Sequence, residues 1–423
     1  MFGLIDCDNF FVSCERVVDP TLDGKPVVVL SNNDGCVVAR SNEVKRMGVP
    51  MGIPFFKIKN LVASEGIIVR SGNHQLYGEL SRQLMHFIAE NTKEQEVYSI
   101  DECFVSLTGV AQPVDFMRML RGAIWDTFHL PVSIGIADTK TLAKAASHFA
   151  KHISGYQGVA MIDNDVKRQK ALALLPIGEV WGIGRQFQKK LSSMGCQYAS
   201  DFVALDQHVV SQVFSKTGLA TYLELKGVCC HAIEKRQPPQ SIFSSRSLPS
   251  EINDFSQLRE LVVTFAAHCH RKLRNANGKC AKVSLQLATN RFKTTLPQQQ
   301  GLFEVQLLSP TDDIIQITSC ATQLLKENIR SECLYKKVGV GLSQLSYTPT
   351  PVNIFDTHNR EKSERLNSAL DDICKAFGQS TVILASQNGR TLENISRADQ
   401  RSDIPSERFP DIDKTSYPPT RFS

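Results

Sequence analysis

Apolar and polar positions along this chain fall into blocks that predict its elements. Residues 2–7 form a short apolar run that ends in acids, Asp6 and Asp8, and read as a strand delivering carboxylates at its C-terminal end. Residues 25–30 read as another strand, closed by the turn-favouring run Ser31-Asn32-Asn33-Asp34-Gly35. Residues 39–48 are predicted helical, with Gly48 as the C-cap. Over residues 77–91 the spacing of Leu80, Leu84, Phe87 and Ile88 is that of a helix face. Residues 97–107 are β-prone and mostly apolar, yet carry the adjacent acids Asp101 and Glu102. Neighbours on one regular strand point to opposite faces, so this run predicts a hairpin with the acidic pair at its tip. Taken alone, a turn with two solvated acids accounts for the pair equally well.

A helix over 114–128, a strand over 131–137 and a helix over 141–151 follow. The order β, α, β-hairpin, α, β, α is that of a split ferredoxin-like domain. Such a sheet is expected to have one face covered by two helices and one face free, with Asp6 and the acidic tip on adjacent central strands. Residues 166–236 read as helical. Within them Val180-Trp181-Gly182-Ile183-Gly184 precedes a helix over 185–194 and a second near 200–205, a helix-hairpin-helix whose outward N–H groups suit a phosphate backbone. After the link Gln237-Pro238-Pro239-Gln240 come strands near 242–243, 281–288, 302–308 and 337–342, with helices over 257–275 and 312–328. Beyond Thr348-Pro349-Thr350-Pro351 an extended tail with one helix over 364–377 is expected.

Composition adds bounds. With 423 residues, 42% hydrophobic and 22% charged, the chain is globular and long enough for several domains. No leader-like N-terminus and no apolar run of about 20 residues is present, which predicts a cytoplasmic protein. Twelve cysteines without a C-x-x-C pair predict buried reduced thiols rather than disulfides or zinc. The net charge of +5 is unevenly spread: residues 1–100 carry ten Lys/Arg against twelve Asp/Glu, whereas 236–300 carry ten against three. A mildly acidic half beside a basic module suits a metal site beside a polyanion-binding surface. In that module Val283, Leu285 and Leu287 define a buried strand face, so Lys282 is expected to point outward.

Asp6-Cys7-Asp8-Asn9-Phe10-Phe11, Tyr98-Ser99-Ile100-Asp101-Glu102, the Gly182-Ile183-Gly184 hairpin and the closing basic module together resemble a Y-family translesion DNA polymerase, over about residues 1–348 and closest to its UmuC-type bacterial branch. The resemblance implies an α/β multidomain (α+β) right-hand polymerase. Its ferredoxin-like palm would be formed by 1–9 and 78–165, small fingers by 10–77, a helical thumb by 166–236, a β/α little finger by 243–348 and a tail by 349–423. It implies two Mg2+ ions held by Asp6, Asp101, Glu102 and the backbone carbonyl of Cys7, with Asp8 not a ligand. It places Phe11 as a steric gate against a ribose 2′-hydroxyl with Phe10 behind it, and Lys45 and Lys151 toward the triphosphate of an incoming dNTP. Gly182, Gly184 and Lys282 would contact DNA. At residues 42–45 the chain reads Asn-Glu-Val-Lys where the family commonly has Y-E-A-R, a departure shared by UmuC-type sequences. In the tail, Pro351-Val352-Asn353-Ile354-Phe355 resembles a sliding-clamp-binding peptide with Pro in place of Gln, and Ile354 and Phe355 would be its anchors. The implied activity is error-prone, template-directed synthesis past damaged bases in the SOS response, at the nucleoid, with primer-template DNA, a UmuD′-type dimer, the RecA recombinase and the sliding clamp as partners. Two rivals are a non-catalytic DNA-binding checkpoint subunit on the same fold and a nucleotidyl cyclase. Three mutually repelling carboxylates without a task argue against the first, and a duplex-gripping hairpin against the second.

Overall fold

The computed structural model describes residues 1–235, 237–348, 360–378, 381–387 and 400–402. The chain divides into two units, Met1–Arg236 with Ala398–Ser423, and Gln237–Arg397. The tail residues Ile354 and Phe355 lie outside the described residues.

In the first unit the strands are β1 (Phe2–Cys7), β2 (Val27–Leu30), β3 (Val37–Arg40), β4 (Ile68–Ser71), β5 (Gln95–Val97), β6 (Glu102–Ser106), β7 (Val132–Ala137) and β8 (Val159–Ile162). Five of them form a sheet in the order β5-β6-β1-β7-β8, antiparallel except for the parallel edge pair β7/β8. β1 is the middle strand, which is why Gly3, Leu4, Ile5 and Cys7 are buried.

Strand alternation sorts the two faces. Ile5, Cys103, Val105, Ile134 and Ile136 pack into one core with the helices His74–Asn91 and Pro113–Phe128. There Met117, Leu120 and Ile124 recur at helical spacing and are at most 4% exposed; full burial of such a side chain is worth about 1.5–3 kcal/mol. Leu4, Phe104 and Ala137 face the other way and join the core of the helix Lys140–His152 and of the helical segment after β8. This second face was expected to be free. It is covered because Lys140–His152 carries the small apolar stripe Ala143, Ala146 and Ala150. Gly135 lets that helix close in: a Cβ there would sit 2.0 Å from the Ala143 carbonyl oxygen and 2.2 Å from the Ser147 nitrogen.

Residues 39–40 are strand rather than helix: they end β3 and pair with Val29 and Val28 of β2. A short helix, Asn42–Arg46, begins only at Ser41, whose hydroxyl accepts the Val44 N–H. β8 was not foreseen; a four-residue apolar run is ambiguous without its parallel partner. The helical segment runs as Asp165–Leu174, Arg185–Ser193, Ala199–Ala204, Gln207–Val213 and Lys216–Leu225. Buried Glu224 on the last of these ties it to the N-terminus of Lys140–His152, accepting the Thr141 N–H at 2.9 Å and hydroxyl at 2.8 Å. An anion at a helix N-terminus meets unsatisfied N–H groups and the positive end of the dipole.

The second unit is an antiparallel sheet ordered β11-β10-β12-β9, with β9 (Ser241–Ile252), β10 (Lys279–Thr289), β11 (Gln300–Thr311) and β12 (Tyr335–Ser346). The helices Phe255–Asn275 and Ile314–Asn328 share its core with Val283, Leu285, Leu287, Val338 and Val340. The tail helix Arg360–Phe377 joins this unit through Asp371, 2.7 Å from Arg274, and Asn367, which donates to the Asp312 carbonyl at 2.8 Å. All twelve cysteines are free thiols. Among the described residues no helix is long and apolar enough to cross a membrane.

Candidate active site

Asp6 is the penultimate residue of the central strand and stands opposite Glu102 in the β1/β6 register, while Asp101 occupies the turn just before β6. The turn folds around Ser99, whose hydroxyl donates to Asp101 Oδ1 at 2.6 Å and accepts the Glu102 N–H at 3.1 Å. The Asp101 carbonyl accepts the Cys7 N–H at 2.9 Å, locking the turn onto β1. Three carboxylates therefore gather at adjacent strand ends, Asp6 and Glu102 on the face that Lys140–His152 covers. Their side chains are 16% and 18% exposed, so the charges are mostly withdrawn from water without being sealed off.

That helix answers with cations. Lys140, Lys144 and Lys151, spaced by four and seven residues, share one stripe. Lys144 Nζ lies 3.0 Å from both oxygens of Glu102, and Lys151 lies 2.6 Å from Asp6 and 3.5 Å from Asp8. Lys140 pairs with Glu96 on β5. Asp8 also accepts the Ser133 hydroxyl, at 2.9 and 3.0 Å. Burial, aided by the charges of Glu102 and Asp101, pushes the Asp6 carboxyl up to about 7 against the opposing pull of Lys151. Lys151 is raised above the ordinary lysine value: burial works against its charge, but Asp6, Asp8 and Glu102 outweigh it. Hard carboxylate oxygens in this number are the donor set that Mg2+ takes. Among the described residues no three His, Cys, Asp or Glu side chains converge on one point, the lysines supplying the positive charge at Asp6 and Glu102. The donors fit a hard divalent cation in chemistry, and the ammonium groups are what it must displace.

Beside the carboxylates, the helix Phe10–Val18 starts at Asn9, left-handed at φ 50°, whose amide donates to Asn42 at 3.0 Å. The departure at residue 42 thus becomes a contact between two short polar side chains. Phe10 is buried, whereas Phe11 is half-buried and stacks on Tyr77 with centroids 4.5 Å apart and planes at 16°, His74 standing edge-on at 5.7 Å. The Tyr77 hydroxyl donates to the buried Glu15 at 2.6 Å, and burial raises that carboxyl. Residues 400–402 also end here: Ser402 donates to Glu15 at 3.3 Å, and Gln400 exchanges hydrogen bonds with Ser71 at 3.0 and 3.2 Å. Lys45 is exposed but feels Lys151, Asp8 and Asp6; partial desolvation first, and the Lys151 and Arg40 cations second, hold it below the usual lysine value.

Gly182 has φ +87° and a Cβ there would lie 2.6 Å from the Thr221 hydroxyl, so the turn requires glycine. Gly184, at φ −79°, has ordinary extended backbone and open space above it. Trp181 donates its indole N–H to the Tyr98 hydroxyl at 3.0 Å. In the second unit Lys282 points away from the core, as its alternation with Val283 and Leu285 requires, and pairs with Glu304 on β11 at 2.9 Å. Arg274 and Lys293 are also engaged, with Asp312 and Asp371 and with Glu251.

Lys144, the Tyr98–Trp181 pair and the Glu15–Tyr77 bond were not anticipated. The stripe of lysines at 140, 144 and 151 was the one signal that could have found Lys144. Its acidic partners lie 42 or more residues away and nothing local marks them.

Two sequence profiles of one family match the chain, impB/mucB/samB over residues 5–148 and its C-terminal domain over 239–353. The protein UmuC of Salmonella typhimurium strain LT2 is 37% identical over 92% of this chain and 93% of its own length. SamB of Salmonella typhimurium is 35% identical over 88% and 90%. A DNA polymerase IV of Alkaliphilus oremlandii is 26% identical over 90% and 98%. Among solved structures, a Y-family DNA polymerase chimera of Dbh and Dpo4 superposes with a TM-score of 0.67 at 21% identity, covering 82% of this chain and all of that one.

Proposed function

This chain belongs to the impB/mucB/samB family and is a DNA-directed DNA polymerase with the fold of the Y family, and from that premise we propose that Asp6, Asp101 and Glu102 are its catalytic carboxylates in error-prone synthesis past damaged bases during the SOS response. The observation that supports the assignment is the β1/β6 register, which sets Asp6 opposite Glu102 with Asp101 in the turn just before β6.

Two Mg2+ ions, held by Asp6, Asp101, Glu102 and the Cys7 carbonyl, would supply Lewis acidity that makes the primer 3′-hydroxyl a better nucleophile and stabilises the leaving pyrophosphate. The chain's own groups do the rest. Ser99 fixes the Asp101 rotamer, and the Asp101 carbonyl holds the hairpin against β1, so the carboxylates keep their spacing. Lys45 and Lys151 carry positive charge where triphosphate oxygens would lie. Phe11, braced by Tyr77, is the surface against which a 2′-hydroxyl would clash. The turn at Gly182 and the polar face of the four-stranded sheet hold DNA by its backbone, without reading sequence. We assign residues 1–9 and 78–165 to the palm, 10–77 to the fingers, 166–236 to the thumb and 243–348 to the little finger. A UmuD′-type dimer, RecA and the sliding clamp complete a cytoplasmic, nucleoid-associated complex.

Primer extension across an abasic template, with and without the partner dimer, tests the reading. Asp101→Asn should bind primer-template DNA nearly as wild type while losing several kcal/mol of transition-state stabilisation, the order expected when a Lewis acid is lost. Extension above a tenth of wild type would remove Asp101 from the chemistry.

A further inference from the structure

We propose that Lys144 is a positioning residue for Glu102, a placeholder cation held in register by the rings of Tyr98 and Trp181; the inference rests on the polymerase reading above. Its ammonium donates to both oxygens of Glu102 at 3.0 Å, and the same nitrogen lies 4.5 Å from the Tyr98 ring centroid and 5.5 Å from that of Trp181. A lysine stem has large rotamer freedom and its head three rotatable donors, so a bidentate grip on one carboxylate needs something else to fix the head. The two rings do so through their negative faces, indole being the strongest such partner.

The rings are themselves fixed. Trp181 stands edge-on to Tyr98 at 5.5 Å and 84°, donates its N–H to the Tyr98 hydroxyl, and lies 6.0 Å from buried Phe104. The next residue is Gly182, whose backbone tolerates no side chain. Lys144 therefore connects the glycine turn of the helical segment to the first residue of β6.

Lys144 neutralises one of three clustered carboxylates and orients it. A divalent cation at Glu102 would meet the ammonium as a like charge, and the ring faces are where that ammonium can retreat. Two opposite effects follow for Lys144→Met. Without the competing cation, magnesium should bind more tightly, its midpoint in primer extension falling by roughly threefold to tenfold. Without the positioning contact, Glu102 samples more orientations and kcat should fall by about tenfold or more. The KM for dNTP should not move, and Lys144→Arg should restore both values toward wild type. Trp181→Leu keeps the ammonium beside Glu102 through the nearer Tyr98 ring but removes the indole face as its retreat, so it should raise the magnesium midpoint.

A readout independent of activity is available because the chain has two tryptophans, Trp125 and Trp181. In a Trp125→Phe background, Mg2+ added without DNA or nucleotide should quench Trp181 emission as the ammonium moves onto the indole, and Lys144→Met should abolish the change. A magnesium midpoint that stays put or rises in Lys144→Met, one that stays put or falls in Trp181→Leu, or Trp181 emission indifferent to Mg2+ while Lys144 is present, would each overturn the proposal. If the unsubstituted protein extends primers and only these signatures are missing, Lys144 alone falls. If it extends none on any template, the polymerase reading falls with it.

Discussion

Replacing Asp6 by Asn should make the protein relatively more stable as pH rises, a consequence of the environment of that carboxyl. The group titrates at 3.8 in an unfolded chain and is pushed up to about 7 in the fold, by burial first and then by the Glu102 and Asp101 charges. Between those two values the folded chain keeps a proton that the unfolded chain has released. The slope of unfolding free energy with pH is proportional to protons bound unfolded minus folded, so it is negative in this window, about −1.4 kcal/mol per pH unit. The stabilisation is full below pH 3.8 and gone above about 7; over the span of about three units it amounts to about 4 kcal/mol. Asn carries no proton to lose. Glu15, raised in the same direction, remains in both proteins and cancels in the difference, and Lys151 titrates above the window. The assay is urea unfolding from pH 4 to 8 with a chelator present, read by the fluorescence of Trp125 and Trp181, which both lie in the first unit. The difference between wild type and Asp6→Asn should drift by a few kcal/mol against wild type across the range. A flat difference, or one drifting the other way, would mean that Asp6 is ionised in the fold at every pH tested, and the account of its burial would be wrong.

Phe11→Ala should remove the ring stacked on Tyr77 and raise ribonucleotide use by about 10² or less, since excluding one hydroxyl is worth only a few kcal/mol; an unchanged ratio in competitive incorporation would make Phe11 ordinary packing. Gly182→Ala should cost roughly 1–2 kcal/mol for the left-handed backbone alone, plus the clash with Thr221, whereas Gly184→Ala should leave the melting temperature nearly unchanged. Equal melting shifts for the two would contradict the turn geometry. Because Lys282 already pairs with Glu304, Glu304→Gln should strengthen primer-template binding, and Lys282→Ala should flatten the dependence of log K on log salt by about one unit. Parallel salt lines for wild type and Lys282→Ala would remove Lys282 from the DNA-facing surface.

Much of this was written locally. An apolar strand ending in Asp6, and a β-prone run broken by Asp101-Glu102, specify their own elements through period-two patterning and turn chemistry, and the helices 77–91, 114–128 and 141–151 through spacing and caps such as Thr139. These are near-neighbour properties and survive in the linear order. Residues 39–40 did not fit that scheme, because Ala-Arg beside a cappable Ser reads as the start of a helix until β2 is there to pair with it. The second face of the central sheet was settled by Gly135 and the alanine stripe of Lys140–His152, a fit between surfaces that no single segment declares. The same holds for the chemistry. The sequence places three carboxylates, but the protonation of Asp6 follows from burial, the cations that face Asp6 and Glu102 come from 145 and 42 residues away along the chain, and the cage around Lys144 needs Tyr98 and Trp181 to meet across 83. Local pattern decides which groups a strand or turn presents; only packing decides which opposite charges face them and how much water is left between, and those two quantities set what the groups can do.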